Sequence, residues 1–315
     1  MTNTNNPAVT KLSTSSALPK VFIGLPQWQH SHWPKTWFAN YPKSDNQLVH
    51  YANECNTVEG NTTFYSLPHS DAVARWEQSV GSDFSFTFKF NQQITHVHQL
   101  LHCEDEVNEQ LQILAPLKHK LGVMLLQLPA SFGPEKLERL AAFLHHLPRH
   151  ITVAVEVRHL AFFGKGDEEK KLNQLLIEHN ANRIIMDTRA LFTGPVSRLD
   201  TGANTRASNS ALLSEVRHKK PRVPVNVIAT ANNPVVRFVG NDTDEDNIAC
   251  LTPWVNKIHQ WRLEGKSPYF FCHRPDNKDA PWLAQQFIDL YNQKHGDTAI
   301  PNLAIKQQPS QNALF

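Results

Sequence analysis

Charged and amide side chains stand at the ends of several short apolar runs in this chain, where neighbouring strands can bring them together. Glu59 and Asn61 follow Thr57-Val58, Lys89 follows Phe84-Ser85-Phe86-Thr87-Phe88, and Gln127 follows Val123-Met124-Leu125-Leu126. Glu156 and Arg158 end Val153-Ala154-Val155, Asp187 ends Ile184-Ile185-Met186, Arg237 lies within Val235-Val236-Arg237-Phe238-Val239, and His273 closes the run 269–273. Residues two apart on a strand share a face, so Glu59 points with Asn61 and Glu156 with Arg158. A buried carboxylate beside Lys89, Arg158 or Arg237 can act as general acid or base, while the cations orient a phosphate or carboxylate, arginine in bidentate fashion. The expectation is a site for an anionic substrate. Glu59, Glu156 and Asp187 are its catalytic candidates, and Asn61, Tyr65, Lys89, Gln127, Arg158, Arg237 and His273 its substrate-binding ones. The competing reading is a ring of structural ion pairs that closes one end of the fold without catalysis.

Metal chemistry fits this set less well, because Glu59, Glu156, Asp187 and His273 are scattered over separate runs and a divalent site needs at least three convergent ligands. His96-Val97-His98 has alternate spacing, but among 17 histidines pairs such as His30/His32 and His145/His146 arise by chance. No metal ligand is assigned, and no cofactor can be read. Gly164-Lys165-Gly166-Asp167, just before a helical segment, could cradle a phosphate on backbone N–H groups; an ordinary loop with an aspartate cap is the simpler reading. Trp28, Trp33 and Tyr65 follow the first two runs, where they could stack on a base or sugar or pack beneath the first loop.

The elements that would position these residues alternate. Strand-like runs at 21–25, 57–64, 84–90, 122–128, 151–158, 183–188, 235–239 and 269–273 are separated by helix-period segments near 46–55, 70–80, 104–119, 134–146, 168–180, 247–263 and 279–294. Eight such units make a parallel TIM-like (β/α)8 barrel, whose chemistry gathers at the carboxyl ends of the strands. The 315 residues suffice for one such domain of about 250 residues. A hydrophobic content of 40% and a net charge of +2 describe a soluble globular protein with no global field for nucleic acid or membrane. Cys55, Cys103, Cys250 and Cys272 are far apart, which argues against a zinc ribbon or disulfide scaffold and for a reducing cytosol. No signal-peptide core and no long apolar run is present, so the expectation is a cytoplasmic protein.

Residues 1–20, rich in Asn, Thr and Ser, read as an unstructured extension, 21–295 as the barrel, and 296–315 as a tail that leaves the domain. Between strands six and seven, 190–234 is irregular and could form a lid or binding loop over the rim.

The motifs Thr57-Val58-Glu59-Gly60-Asn61-Thr62-Thr63-Phe64-Tyr65, Phe88-Lys89-Phe90, Ile94-Thr95-His96, Leu126-Gln127-Leu128-Pro129 and Val155-Glu156-Val157-Arg158-His159 together resemble the YecE-like family, domain of unknown function 72. The match keeps its order from about Val21 to Tyr291, and Ile23-Gly24-Leu25-Pro26-Gln27-Trp28 with Phe162-Phe163-Gly164-Lys165-Gly166 is similar to the enterobacterial branch. The resemblance implies a TIM-like barrel and no particular reaction. Many members of that family end strand seven with Arg-x-His-Gly; here Arg237-Phe238-Val239-Gly240 carries valine at the histidine position.

The last five residues, Gln311-Asn312-Ala313-Leu314-Phe315, resemble the bacterial sliding-clamp-binding peptide, a glutamine, two variable positions, then Leu-Phe. An apolar pair at a terminus needs a pocket, either on a partner or on its own barrel. Gln311, Leu314 and Phe315 are therefore the partner-binding candidates. If they dock on the clamp, the barrel works at DNA, and Arg217-His218-Lys219-Lys220-Pro221-Arg222 becomes a phosphate-contacting loop. Two functions stay open: an enzyme acting on a phosphorylated small molecule or nucleic-acid end, and a noncatalytic accessory protein recruited through its tail.

Overall fold

The computed structural model of the chain describes residues 17–43, 46–193, 215, 217 and 222–305. The apolar runs become eight strands: β1 (Phe22–Gly24), β2 (Thr57–Gly60), β3 (Ser85–Lys89), β4 (Leu121–Gln127), β5 (Thr152–Glu156), β6 (Asn182–Asp187), β7 (Val235–Val239) and β8 (Tyr269–His273). They form one sheet in the order β1-β8-β7-β6-β5-β4-β3-β2, every neighbouring pair parallel. Between them run α1 (Gln47–Glu54), α2 (Thr62–Tyr65), α3 (Ser70–Ser79), α4 (Glu104–Leu114), α5 (Leu137–His146), α6 (Asp167–Glu178), α7 (Arg189–Phe192), α8 (Asp244–Leu263) and α9 (Ala280–Lys294). This is the TIM-like architecture that the strand-helix alternation predicts.

Side chains close the remaining seam, between β1 and β2. The Asn56 side chain accepts from the Ile23 N–H and donates to the Val21 carbonyl, both at 2.8 Å, standing in for a strand edge. The Tyr51 hydroxyl donates to the Thr57 carbonyl and accepts from the Leu25 N–H, again at 2.8 Å. One backbone bond, Glu59 N–H to the Leu25 carbonyl at 2.9 Å, completes the closure. Gly24 permits the approach, since a Cβ there would lie 2.4 Å from the Thr57 carbonyl oxygen.

Two-residue alternation divides each strand between two cores. Val123, Leu125, Ala154, Ile184, Val235 and Phe271 fill the barrel interior, while Met124, Leu126, Val155, Ile185, Val236 and Phe270 pack under the helices. The barrel is therefore plugged below its mouth, and a ligand can enter only from the end. Helices α4, α6 and α8 carry acidic residues in their first turns, Glu104 to Glu106, Asp167 to Glu169 and Asp244 to Asp246, which complement their own dipoles.

Among the boundaries that differ from those read in the sequence, two change what the elements position. Strand β2 ends at Gly60, and Thr62–Tyr65 turns into helix, with the Thr63 hydroxyl donating to the Lys89 carbonyl at 2.7 Å. The chain also stays on the barrel beyond residue 295. Ile300 and Leu303 are buried, Asn292 bonds both the N–H and the carbonyl of Ile300 at 2.7 Å, and Gln285 accepts from the Leu303 N–H at 2.8 Å. Isolated apolar residues without a period escape a periodicity reading even when they dock. Arg262 holds this segment and the amino-terminal one together, donating to the Pro19 carbonyl at 2.8 Å and the Thr298 carbonyl at 2.9 Å. No helix among the described residues is long and apolar enough to cross a membrane.

Candidate active site at the barrel mouth

Six inward-facing residues converge above the apolar plug, one from each of six strands: Glu59, Lys89, Gln127, Glu156, Arg237 and His273, all buried. Arg237 is the hub. Its Nε and Nη2 donate to the two oxygens of Glu59, each at 2.8 Å, and its Nη1 donates to Glu156 Oε2. The other Glu156 oxygen accepts from Arg158 Nε at 2.9 Å and Nη2 at 2.8 Å. His273 Nε2 lies 3.1 Å from Glu59 Oε2. Arg158, Glu156, Arg237 and Glu59 thus form a chain of two guanidinium and two carboxylate groups whose charges cancel.

Lys89 is the additional cation. Its Nζ donates to Gln127 Oε1 at 2.8 Å and stays 3.9 Å from Glu59, beyond hydrogen-bond reach. Burial, reinforced by the Arg237 charge and opposed by Glu59 and Glu156, brings its ammonium down to about 8. Burial alone would raise the Glu59 carboxyl, but Arg237, His273 and Lys89 outweigh it and hold that group well below the usual carboxylate range. Burial likewise disfavours the Arg237 charge, yet Glu59 and Glu156 prevail and raise its pKa.

A cavity of about 500 Å3 opens over this floor, lined there by Lys89, Gln127, Arg158, Arg237 and His273. Asn61, Tyr65 and His96 line it higher, with Gln27, Gln92 and Asn277 adding amides. The Asn61 amide donates to the Pro26 carbonyl at 2.9 Å, and Tyr65, 71% exposed, lies edge-on to Phe64. His96 sits in a π-helical turn (Gln93–Val97) after β3, its ring 5.1 Å from that of Phe64. Burial and then Arg158 lower its pKa, so the imidazole is neutral near pH 7. Pair spacing alone dismisses His96 as chance; its place on the loop directly after the Lys89 strand is the signal that identifies it.

Asp187 requires correction. It is buried on the opposite face of β6, where Arg189 donates to it from Nη2 at 2.7 Å and Trp254 Nε1 from α8 at 2.8 Å. Register decides this: Ala154 faces inward and pairs with Asn182, so Ile184 and Met186 face inward and Asp187 outward. The carboxylate anchors the loop after β6 and has no place in the pocket. Trp33 is fully buried and Trp28 packs against the core, so Tyr65 alone of the three aromatics offers its ring at the mouth. The Lys165 N–H donates to Glu169 at 2.8 Å, which occupies the Gly164–Asp167 turn with a carboxylate in place of a phosphate.

Among the described residues, no group of three or more His, Cys, Asp or Glu gathers at one point. Arg217 donates to the Leu191 carbonyl at 2.7 Å and the Thr193 carbonyl at 3.0 Å. Residues 218–221, most of the 190–234 excursion, and Gln311, Leu314 and Phe315 lie outside the described residues.

Over residues 22–310 the chain matches the family model described as Protein of unknown function DUF72. The chain belongs to the DUF72 family. It is 38% identical over 296 residues to UPF0759 protein YecE of Escherichia coli K12, covering 94% of this chain and 100% of the relative. The same protein of strain O157:H7 matches equally, at 38%. Among solved structures, a DUF72 family protein from Enterococcus faecalis V583 superposes with a TM-score of 0.61 at 22% identity, covering 88% of this chain and 99% of that one. A DUF72 family protein from Thermotoga maritima MSB8 gives 0.62 at 20% identity, with coverage of 86% and 98%. Likeness at this level carries the fold, and the function has to be argued from the site. Val239 pairs in register with His273, so the imidazole at this level comes from β8.

Proposed function

We propose that the barrel mouth binds a small polar anion, a phosphate or carboxylate on a hydroxylated or heterocyclic body, and that the protein is an enzyme acting on it. Charge balance carries the reading. Two arginines answer two glutamates, which leaves Lys89 as the extra positive charge on the floor of a polar cavity. In this arrangement Glu59 and Glu156 hold Arg237 and Arg158 in place, and Lys89, brought down to about 8, is able to exchange a proton near neutral pH. Arg158, on the pocket wall, offers the incoming anion its first contact. Tyr65 provides an exposed face on which a ring can stack, and the surrounding amides serve hydroxyl or base-edge recognition.

Calorimetric titration with inorganic phosphate and sulfate tests the reading. Saturable binding is expected, and Arg158→Gln should weaken it about tenfold, or about 1.4 kcal/mol. Absence of binding, or binding indifferent to Arg158, would return the cluster to a purely structural role.

The sequence supports one further proposal: Gln311, Leu314 and Phe315 recruit this enzyme to a sliding clamp, which would make a nucleic-acid end or nucleotide the anion.

A further inference from the structure

A lysine held only for structure in a pocket with two carboxylates is expected to bond one of them directly. Lys89 does not. Arg237 occupies both oxygens of Glu59 and one of Glu156, Arg158 takes the other oxygen of Glu156, and Lys89 Nζ is left with the neutral carbonyl of Gln127 as its hydrogen-bond acceptor. Its remaining side faces the cavity, with the Phe64 ring centroid 5.7 Å away. This is an environment that keeps an amine available and aims it at whatever the pocket holds.

We propose that Lys89 is a nucleophile that forms a Schiff base with an aldehyde or ketone bearing a phosphate or carboxylate group. This rests on the anion-binding reading above and names its substrate class. Lys89 Nζ, as the neutral amine, attacks the carbonyl carbon; the C–N bond forms as the carbonyl π pair moves to oxygen, which takes a proton while the now positively charged nitrogen releases one. The resulting carbinolamine loses its hydroxyl as water, with one proton supplied, and leaves an iminium on Nζ. His273 and His96 border the same cavity and are the groups placed to pass those protons. Arg158 holds the substrate's anionic end, and Gln127 orients the amine. The charged groups that tune Lys89 come from every side of the pocket: Glu59 on β2, Glu156 and Arg158 from β5, and Arg237 on β7. Together with burial they bring its pKa to about 8, so a working fraction of neutral amine exists at physiological pH.

The test is reductive trapping on the full-length protein with sodium cyanoborohydride and two probes, glycolaldehyde phosphate and uncharged glycolaldehyde, followed by peptide mapping. Reduction adds hydride to the imine carbon, so a trapped lysine gains the mass of the aldehyde less one oxygen atom. The expected result is preferential labelling of Lys89 by glycolaldehyde phosphate, at least tenfold over any other lysine, with a pH midpoint near 8. Inorganic phosphate should suppress it. Labelling of Lys89 with no preference for the phosphorylated probe would uphold the nucleophile and sink the anion reading. Saturable binding of glycolaldehyde phosphate with Lys89 no more labelled than surface lysines would overturn the Schiff-base proposal and leave the anion site standing. Because mapping reads each lysine in the wild-type protein, the result does not depend on whether a Lys89 variant folds.

Discussion

At the scale of the residue, the depressed ammonium of Lys89 implies a cost to the fold that carries it. Burial and Arg237 depress its ammonium from the usual 10.5 to about 8. That difference corresponds to a cost of about 3 kcal/mol at neutral pH. Between the two values the unfolded chain keeps a proton that the folded chain releases, so stability rises with pH through that window. Lys89→Met should therefore raise the unfolding free energy at pH 7 by about 1–3 kcal/mol, read from urea titrations, and should abolish the rise expected of the wild type between pH 8 and 10. A variant less stable than wild type at pH 7 would mean that Lys89 is a structural ion-pair partner of Glu59. Glu59 has the opposite sign. Its carboxyl is held low, so its contribution is complete above the ordinary carboxylate value and is lost as pH falls through the depressed one. One unfavourable cation in an otherwise well-satisfied scaffold is the pattern that the proposed chemistry at the barrel mouth requires.

At the scale of the element, the barrel depends on its weakest seam. Strands β1 and β2 meet through Asn56 and Tyr51 side chains in place of a full ladder. Asn56→Ala would leave the Ile23 N–H and the Val21 carbonyl without their partner, at about 1–3 kcal/mol for each buried group. A thermal melt should show the loss directly, and hydrogen exchange should place it at Ile23 before the core of β4 or β5 opens. Glu59 stands on β2, so an opened seam also displaces the main partner of Arg237. Anion affinity should consequently fall in Asn56→Ala even though residue 56 touches no part of the pocket. Unchanged melting and unchanged affinity would show that the seam is held by other contacts.

At the scale of the whole molecule, the docking of residues 300–305 decides which truncations the barrel tolerates. Ile300 and Leu303 belong to the main core. Ending the chain after Ala299 removes both, and each buried aliphatic side chain contributes about 1.5–3 kcal/mol. Ending it after Ile305 removes neither, so that truncation should melt with the full-length protein while the shorter one melts many degrees lower. A peptide of 306–315 should bind purified sliding clamp at micromolar strength, roughly 8 kcal/mol. Leu314→Ala with Phe315→Ala should abolish that binding by removing the apolar anchors. A peptide that fails to bind would remove DNA from the functional reading and leave the barrel-mouth chemistry untouched. A fully extended segment of this length spans at most about 35 Å, which would limit how far the barrel could stand from a clamp bound by the peptide.

Period and polarity along the chain are local properties, and they determined the strand-helix alternation, the barrel, and the end of it at which Glu59, Asn61, Lys89, Gln127, Glu156, Arg158, Arg237 and His273 would meet. A parallel barrel sends every strand's carboxyl end the same way, so naming the strands nearly names the rim. Asp187 shows the limit: it ends its run like the others, but inward and outward faces follow from register with β5, a relation between strands. His96 was hidden because its place in the pocket depends on a π-helical turn that brings its ring against Phe64. The division of labour within the charged cluster was hidden more deeply still. Arg237 and Glu59 lie 178 positions apart in the chain and 2.8 Å apart in space. Only barrel closure brings β2, β5 and β7 around one guanidinium, and that long-range geometry decided which charges neutralise each other and that Lys89 is the amine left facing the pocket.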